Sequence, residues 1–110
     1  MPFPAGGLTD VIARLVGQAV GESLKTSVVV DNKAGAHGFI GGAEVAKAPA
    51  DGYTLLVGST GSAAINPILH ARVPYDQNRD FAPVSLLVSV PIVIMVNAKT
   101  VQAQTVEELV

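Results

Sequence analysis

Residues 2–10 read PFPAGGLTD, a turn rich in proline and glycine that leads into an apolar-periodic helix. Residues 57–67 read VGSTGSAAINP and place a second turn, rich in glycine and serine, at the same kind of junction. Each turn can present backbone N–H groups at the beginning of a helix, where the helix dipole favours a negative charge. Two such turns over one parallel sheet predict an anion-binding cleft.

Strand and helix patterns alternate along the rest of the chain. Apolar spacing predicts helices over residues 9–24, 39–47 and 62–65, and β-branched or apolar runs predict strands over 27–31, 53–58, 84–88 and 92–96. This order predicts right-handed βαβ units and a parallel sheet that binds ligands at the carboxyl ends of its strands. The predicted fold class is therefore α/β.

The C-terminal residues predict an element that is cut short. Residues 105–108 read TVEE and fit a capping box, so a helix is expected to begin at Thr105. The chain ends at Val110, and a helix of one turn does not repay its nucleation cost. The expectation is a truncated parent protein.

Composition and motifs exclude several classes of function. A net charge of −2, few aromatic residues and no basic run argue against nucleic acid. The apolar residues 84–96 are fewer than the ~20 that a membrane helix needs, and the N-terminus lacks a signal-peptide pattern.

Catalytic and cofactor sites are also not expected. The glycines of the first turn are not followed by the Lys-Ser or Lys-Thr of a P-loop, and residues 35–41 lack dinucleotide-binding spacing. With no cysteine and only two histidines, no metal site is expected, and no nucleophile and base are placed together. The chain is predicted to be no enzyme and to carry no cofactor.

A series of motifs in a fixed order carries a family resemblance. They are PFPAGG with TD (residues 2–10), VDNKAGAHG (30–38), ADGYTLL (50–56), NP (66–67), PYD (74–76) and DFAPV (80–84). Together they closely resemble the Bug receptors, the substrate-binding proteins of tripartite tricarboxylate transporters. The loop residues His37 and Phe39 depart from the family, which usually has small side chains there.

The resemblance implies a periplasmic receptor, not an enzyme, with a two-lobed type II periplasmic-binding-protein fold. Such a receptor holds a small carboxylate between its lobes and passes it to a membrane permease. Residues 1–96 would be the first ligand-binding lobe, an incomplete βαβ lobe without its first strand. Residues 97–110 would be the truncated start of the crossover to the second lobe.

Candidate ligand-binding residues fall in three loops. They are Phe3, Pro4, Ala5, Gly6, Gly7 and Asp10; His37; and Ser59, Thr60, Gly61, Ser62 and Asn66. Asp10 is expected to order the Gly6-Gly7 loop at the helix start. Arg14, Arg72 and Arg79 could each clamp a carboxylate. The simpler alternative stays open in each case: the turns only shape the chain, Ser59 or Thr60 only caps a helix, and the three arginines are solvated charges, which is the favoured interpretation for them.

A different function class also remains. A truncated lobe exposes an unfinished sheet edge, and the apolar run IVIMV at residues 92–96 would be left unpaired. A second copy could cover it in a segment-swapped homodimer with no ligand function.

Overall fold

The longest element of the computed structural model, which describes residues 1–110, is helix α1, Leu8–Leu24. It confirms the helix predicted over residues 9–24 and begins one residue earlier. The helix ends at Lys25, which takes the left-handed conformation (φ 53°) typical of a helix C-terminus and donates its N–H to the Gly21 carbonyl.

Two glycines of α1 allow the following segment to lie close against the helix. A Cβ at Gly17 would lie 3.1 Å from Val28 Cγ1, and a Cβ at Gly21 would lie 2.9 Å from the Thr26 carbonyl oxygen. These glycines therefore allow close packing and do not interrupt the helix. The partner is a single segment of chain, residues 26–30, and not a sheet.

The remaining helices are short. Helix α2, Phe39–Lys47, matches its predicted bounds and follows a 3₁₀ turn at Ala36–Gly38. A π-helical turn at Gly61–Ile65 continues into α3, Asn66–Leu69. The helix predicted over 62–65 therefore runs on through Pro67, which sits at the start of α3, where its missing N–H is tolerated.

Helix α4, Val106–Leu109, begins at the predicted capping residue. The Thr105 hydroxyl oxygen accepts a hydrogen bond from the Glu108 N–H at 3.3 Å. The Glu108 carboxylate accepts from the N–H of Gln104, one residue before the cap, at 2.8 Å. The capping prediction is confirmed, with a shifted return bond.

The predicted parallel sheet is absent, and the α/β fold class is wrong for this structure. None of the segments 27–31, 53–58, 84–88 and 92–96 forms a strand. Among the backbone hydrogen bonds, only that from the Lys33 N–H to the Met1 carbonyl, at 2.8 Å, joins residues far apart in sequence. The Met1 amino group also donates to the Asp31 carbonyl at 2.7 Å, so residues 1 and 32 meet as one parallel pair.

The physical reason is that a strand requires a neighbour, and one residue pair does not make a ladder. A β-branched or apolar run favours burial on a pleated surface without specifying its partner. Here the runs stay largely exposed to solvent, with exposed fractions of 84% at Val29, 62% at Leu55 and 97% at Ile92.

The small core lies where α1, α2 and the two turns meet. The nine buried residues are Pro2, Asp10, Ala13, Gly17, Gly38, Phe39, Gly41, Gly42 and Ser62. The radius of gyration is 17.6 Å, against about 13 Å for a compact domain of this length, because the C-terminal segments extend away from this core. None of the helices is both long and apolar enough to cross a bilayer.

Candidate functional site

The first turn, residues 3–7, leaves backbone donors unpaired at the start of α1. Gly6 takes a left-handed conformation (φ 85°), and Gly7 precedes the helix with no side chain capping it. The N–H groups of Gly7, Leu8 and Thr9 have no acceptor within the protein. The turn therefore offers consecutive donors at the positive end of a 17-residue helix.

Asp10 lies beneath this turn and is only 3% exposed. Its Oδ2 accepts from the Gly6 N–H at 2.8 Å and from Arg14 Nε at 3.0 Å, and its Oδ1 accepts from Asn32 Nδ2 at 3.0 Å. The bond from Arg14, followed by those from Gly6 and Asn32, holds the pKa of the Asp10 carboxyl well below its usual range.

The expected role of Asp10 in ordering the loop is confirmed by this direct bond to Gly6. The same bond occupies the Gly6 N–H, so of the two glycines only Gly7 keeps a free donor. Both Asp10 carboxylate oxygens accept hydrogen bonds from protein groups, so the side chain stabilises the turn through these bonds.

The second turn, residues 59–62, is closed by its two serines. The Ser59 N–H donates to Ser62 Oγ at 3.0 Å, and the Ser62 N–H donates to Ser59 Oγ at 3.4 Å. The Ser62 hydroxyl in turn donates to the Ser59 carbonyl at 3.2 Å. The helix-capping interpretation is thus correct for Ser59.

Four donors of the second turn remain available. The N–H groups of Thr60 and Gly61 have no acceptor in the protein, and neither the Ser59 nor the Thr60 hydroxyl donates to a protein group. Ser62 is buried and its hydroxyl proton is used within the turn. Ser59, Thr60 and Gly61 can therefore face a ligand, while Ser62 supports the backbone.

The two turns converge on the start of α2. A Cβ at Gly38 would lie 3.1 Å from Ser62 Cβ and 3.3 Å from Pro2 Cβ. A Cβ at Gly41 would lie 3.0 Å from Pro2 Cα. Pro2, which precedes the first turn, and Ser62, which ends the second turn, thus both pack against the same glycine at the start of α2.

His37 and Asn66 are also brought together. The Asn66 side-chain amide donates to the His37 carbonyl at 3.0 Å, and His37 itself is left-handed (φ 57°). The imidazole rings of His37 and His70 lie 4.6 Å apart, and Phe39 packs edge-on against His70. This contact joins the 3₁₀ turn before α2 to α3, beside the second turn.

Three residues have roles in the site that the sequence did not indicate. Arg14 donates hydrogen bonds to Asp10 and Asn32 and is therefore not a free solvated charge. Its spacing of four residues from Asp10 on a helix was the sequence signal that could have indicated this pair. Asn32 and Gly38 make contacts across 18 or more residues of chain, and no local sequence pattern indicates such contacts.

An open cavity of 790 Å³ lies elsewhere. It is lined by the loop 73–80 and by Ala63, Ala64, Pro67 and Ile68, and it includes none of the candidate residues. The carboxylates of Asp76 and Asp80 at its wall disfavour an anion. No three histidine, aspartate or glutamate side chains cluster in a way that could hold a metal ion.

Comparison with known proteins identifies related sequences. The model of the family described as "Tripartite tricarboxylate transporter family receptor" matches residues 12–110. The chain is 48% identical over 98 residues to the "UPF0065 protein in tcbD-tcbE intergenic region" of Pseudomonas sp. (strain P51), covering 89% of this chain and 29% of that protein.

Two further relatives lie in other bacteria. The chain is 45% identical over 100 residues to "Protein BugT" of Bordetella pertussis, covering 90% of this chain and 31% of that protein. It is 40% identical over 110 residues to the "UPF0065 protein in the TAR-I ttuE-ttuC' intergenic region" of Agrobacterium vitis. The chain thus spans about a third of the length of these relatives, and no solved structure matches it.

Proposed function

The chain belongs to the tripartite tricarboxylate transporter receptor family, and we propose that its two backbone turns bind the carboxylate group of a small metabolite. The observation that carries this proposal is the set of free N–H groups at the starts of two helical segments, whose neighbouring residues Pro2 and Ser62 both pack against Gly38. A carboxylate accepts several such bonds at once, and hydrogen bonds to a charged acceptor are the stronger kind.

The donors divide between the two turns in a way that suits one bound anion. The first turn contributes the N–H groups of Gly7, Leu8 and Thr9, and the second contributes those of Thr60 and Gly61. The Ser59 hydroxyl adds a side-chain donor, since its oxygen accepts from Ser62 while its proton is free. We place Phe3, Pro4 and Ala5 beside the ligand as the rest of the first turn, which from Pro4 to Gly7 is poor in side chains.

The charge balance also supports an anionic ligand. Asp10 is the carboxylate nearest the first turn, and its charge is met by Arg14 and by two neutral donors. A bound anion therefore does not face an uncompensated negative charge. Because backbone N–H groups do not titrate, we expect binding to depend little on pH above the pKa values of the ligand itself.

The family role supplies the rest of the proposal. In this interpretation the protein is a periplasmic receptor that holds a small carboxylate and delivers it to the membrane permease of a tripartite transporter, without catalysing a reaction. Uptake of a radiolabelled ligand by cells with and without the receptor gene tests delivery. Uptake that is unchanged when the gene is deleted would contradict it.

The binding step is tested by calorimetry of the purified protein with acetate, succinate, glutamate and citrate. Thr60 has φ −51°, which proline adopts without strain, so Thr60→Pro removes one free N–H and keeps the backbone. Thr60→Ala is the matched control, because it loses the hydroxyl and keeps the N–H. We expect affinity to fall roughly tenfold further in Thr60→Pro than in Thr60→Ala.

A second candidate function rests on a separate observation. No residue between 84 and 96 takes part in a backbone hydrogen bond, and Ile92 and Met95 are 97% and 86% exposed. An unpaired apolar segment of this kind favours self-association. Light scattering separates the two proposals, since a dimer that binds none of the carboxylates would favour assembly, while a monomer would exclude the homodimer.

A further inference from the structure

Asn32 stands out because every polar atom of its side chain is used, and all of its partners belong to the first turn or to the helix that follows it. Its Nδ2 donates to the Phe3 carbonyl at 3.1 Å and to Asp10 Oδ1 at 3.0 Å. Its Oδ1 accepts from Arg14 Nη2 at 3.1 Å. The residue is half-buried and lies 29 positions along the chain from Phe3.

These bonds close a ring around the first turn. The Phe3 carbonyl at its beginning is held by Asn32, and the Gly6 N–H near its end is held by Asp10, which Asn32 also contacts. The residues on either side of Asn32 hold Met1. The Asp31 carbonyl accepts from the Met1 amino group, and the Lys33 N–H donates to the Met1 carbonyl. What remains outside the ring is the run of unpaired N–H groups from Gly7 to Thr9.

The chemistry at position 32 requires an amide. Two of the bonds are donated and one is accepted, and only the carboxamide of asparagine or glutamine offers both from one planar group. An aspartate would donate nothing and would place a second carboxylate against Asp10. An alanine would leave the Phe3 carbonyl and Asp10 each short of a partner.

We propose that Asn32 is a positioning residue of the carboxylate site: it fixes the first turn so that the Gly7, Leu8 and Thr9 N–H groups point together at the ligand without Asn32 touching it. This inference rests on the proposed function of the turn. The inference explains the amide at position 32 by its contacts with residues distant in sequence. Neither the composition nor the spacing of residues 30–38 indicates these contacts.

The test compares Asn32→Ala with two controls in the purified protein. Asn78→Ala removes an exposed carboxamide whose side chain makes no hydrogen bond. Ala46→Gly weakens α2 near its end, eight residues after Gly38, and controls for a general loss of stability. Affinity is measured by calorimetry with acetate, succinate, glutamate and citrate, and amide exchange and chemical shifts are measured by NMR without ligand.

In Asn32→Ala we expect the affinity for the tightest of the four probes to fall about tenfold, the loss typical of one hydrogen bond to a charged group. Chemical-shift changes in this variant should be confined to residues 3–10, and its Gly6 amide should exchange faster. Both control variants should keep wild-type affinity. Wild-type affinity in Asn32→Ala would overturn the inference, and so would an equal loss in Ala46→Gly.

A failure of the proposed function is distinguishable from a failure of this inference. If the wild-type protein bound none of the four probes, carboxylate binding would be contradicted by that result alone. The positioning role would then be decided by the ligand-free spectra. Unchanged exchange at Gly6 and unchanged shifts at residues 3–10 in Asn32→Ala would overturn it.

Discussion

The backbone N–H of Gly6 donates to the buried carboxylate of Asp10 at 2.8 Å, so the first turn is closed by the helix that it introduces. This contact separates two kinds of donor in a stretch that looks uniform in sequence. The Gly6 N–H is bonded within the protein, and the Gly7 N–H has no acceptor there.

Asp10 should make the stability of the protein depend on pH in the acid range. Its folded-state pKa lies below the unfolded value of about 3.9, so its contribution is present above that value and is lost as pH falls towards the folded pKa. We expect the free energy of urea unfolding to fall less steeply below pH 5 in Asp10→Asn than in the wild type. Identical pH profiles would contradict the buried, bonded carboxylate.

Gly41→Ala should displace the start of the chain from α2. The new Cβ would lie 3.0 Å from Pro2 Cα and 3.2 Å from the Lys33 carbonyl oxygen, both backbone atoms that cannot rotate away. We expect a loss of about 1–3 kcal/mol in the free energy of unfolding. Gly61→Ala is the control, because its nearest contact is an ordinary 3.6 Å and alanine favours the helix. Equal stability in the two variants would refute the contact.

Gly42→Ala should lower the pKa of Tyr75. Burial raises the pKa of this phenol, and a Cβ at Gly42 would collide with the Tyr75 ring, 2.7 Å from Cζ. Displacing the ring exposes the hydroxyl, so the absorbance titration of tyrosinate should shift to lower pH. Tyr75→Phe assigns the transition, because Tyr53 is the only other tyrosine. A titration unchanged by Gly42→Ala would show that the ring is not held there.

The two serines of the second turn should have separable effects. Ser62→Ala removes the acceptor of the Ser59 N–H and should cost about 1 kcal/mol of stability. Ser59→Ala should also cost some stability, because the Ser59 oxygen accepts from the Ser62 N–H, but it alone removes the free hydroxyl donor and should weaken carboxylate binding roughly tenfold. Urea unfolding and calorimetry on both variants measure the difference. A reversed pattern would assign ligand contact to the buried serine instead.

Local patterns were sufficient to predict α1, α2 and the start of α4. The spacing of apolar residues in α1, the bounds of α2 and the hydroxyl cap at Thr105 are all set within a few residues of chain, and each appears in the structure. The family was identified from short motifs such as PFPAGG and ADGYTLL, and the family model matches residues 12–110.

The parts that sequence missed depend on distant partners. Val28 and Val29 read as strand because β-branched residues suit a sheet, yet a strand exists only where a neighbour supplies hydrogen bonds. For the same reason the sequence did not indicate the role of Asn32, whose hydrogen-bond partners lie 18 to 29 residues away. It also did not indicate the role of Gly38, which lets Pro2 and Ser62 approach. Contacts of this range leave no periodic signal.

The central claim is that both turns share one carboxylate, and an NMR titration of the purified protein with the four carboxylates tests it most directly. The account predicts saturable shifts of the Gly7, Leu8, Thr60 and Gly61 amides that follow a single dissociation constant, with a smaller change at Gly6. Shifts at only one turn, shifts centred on the loop 73–80, or no saturation at millimolar ligand in a folded sample would contradict it.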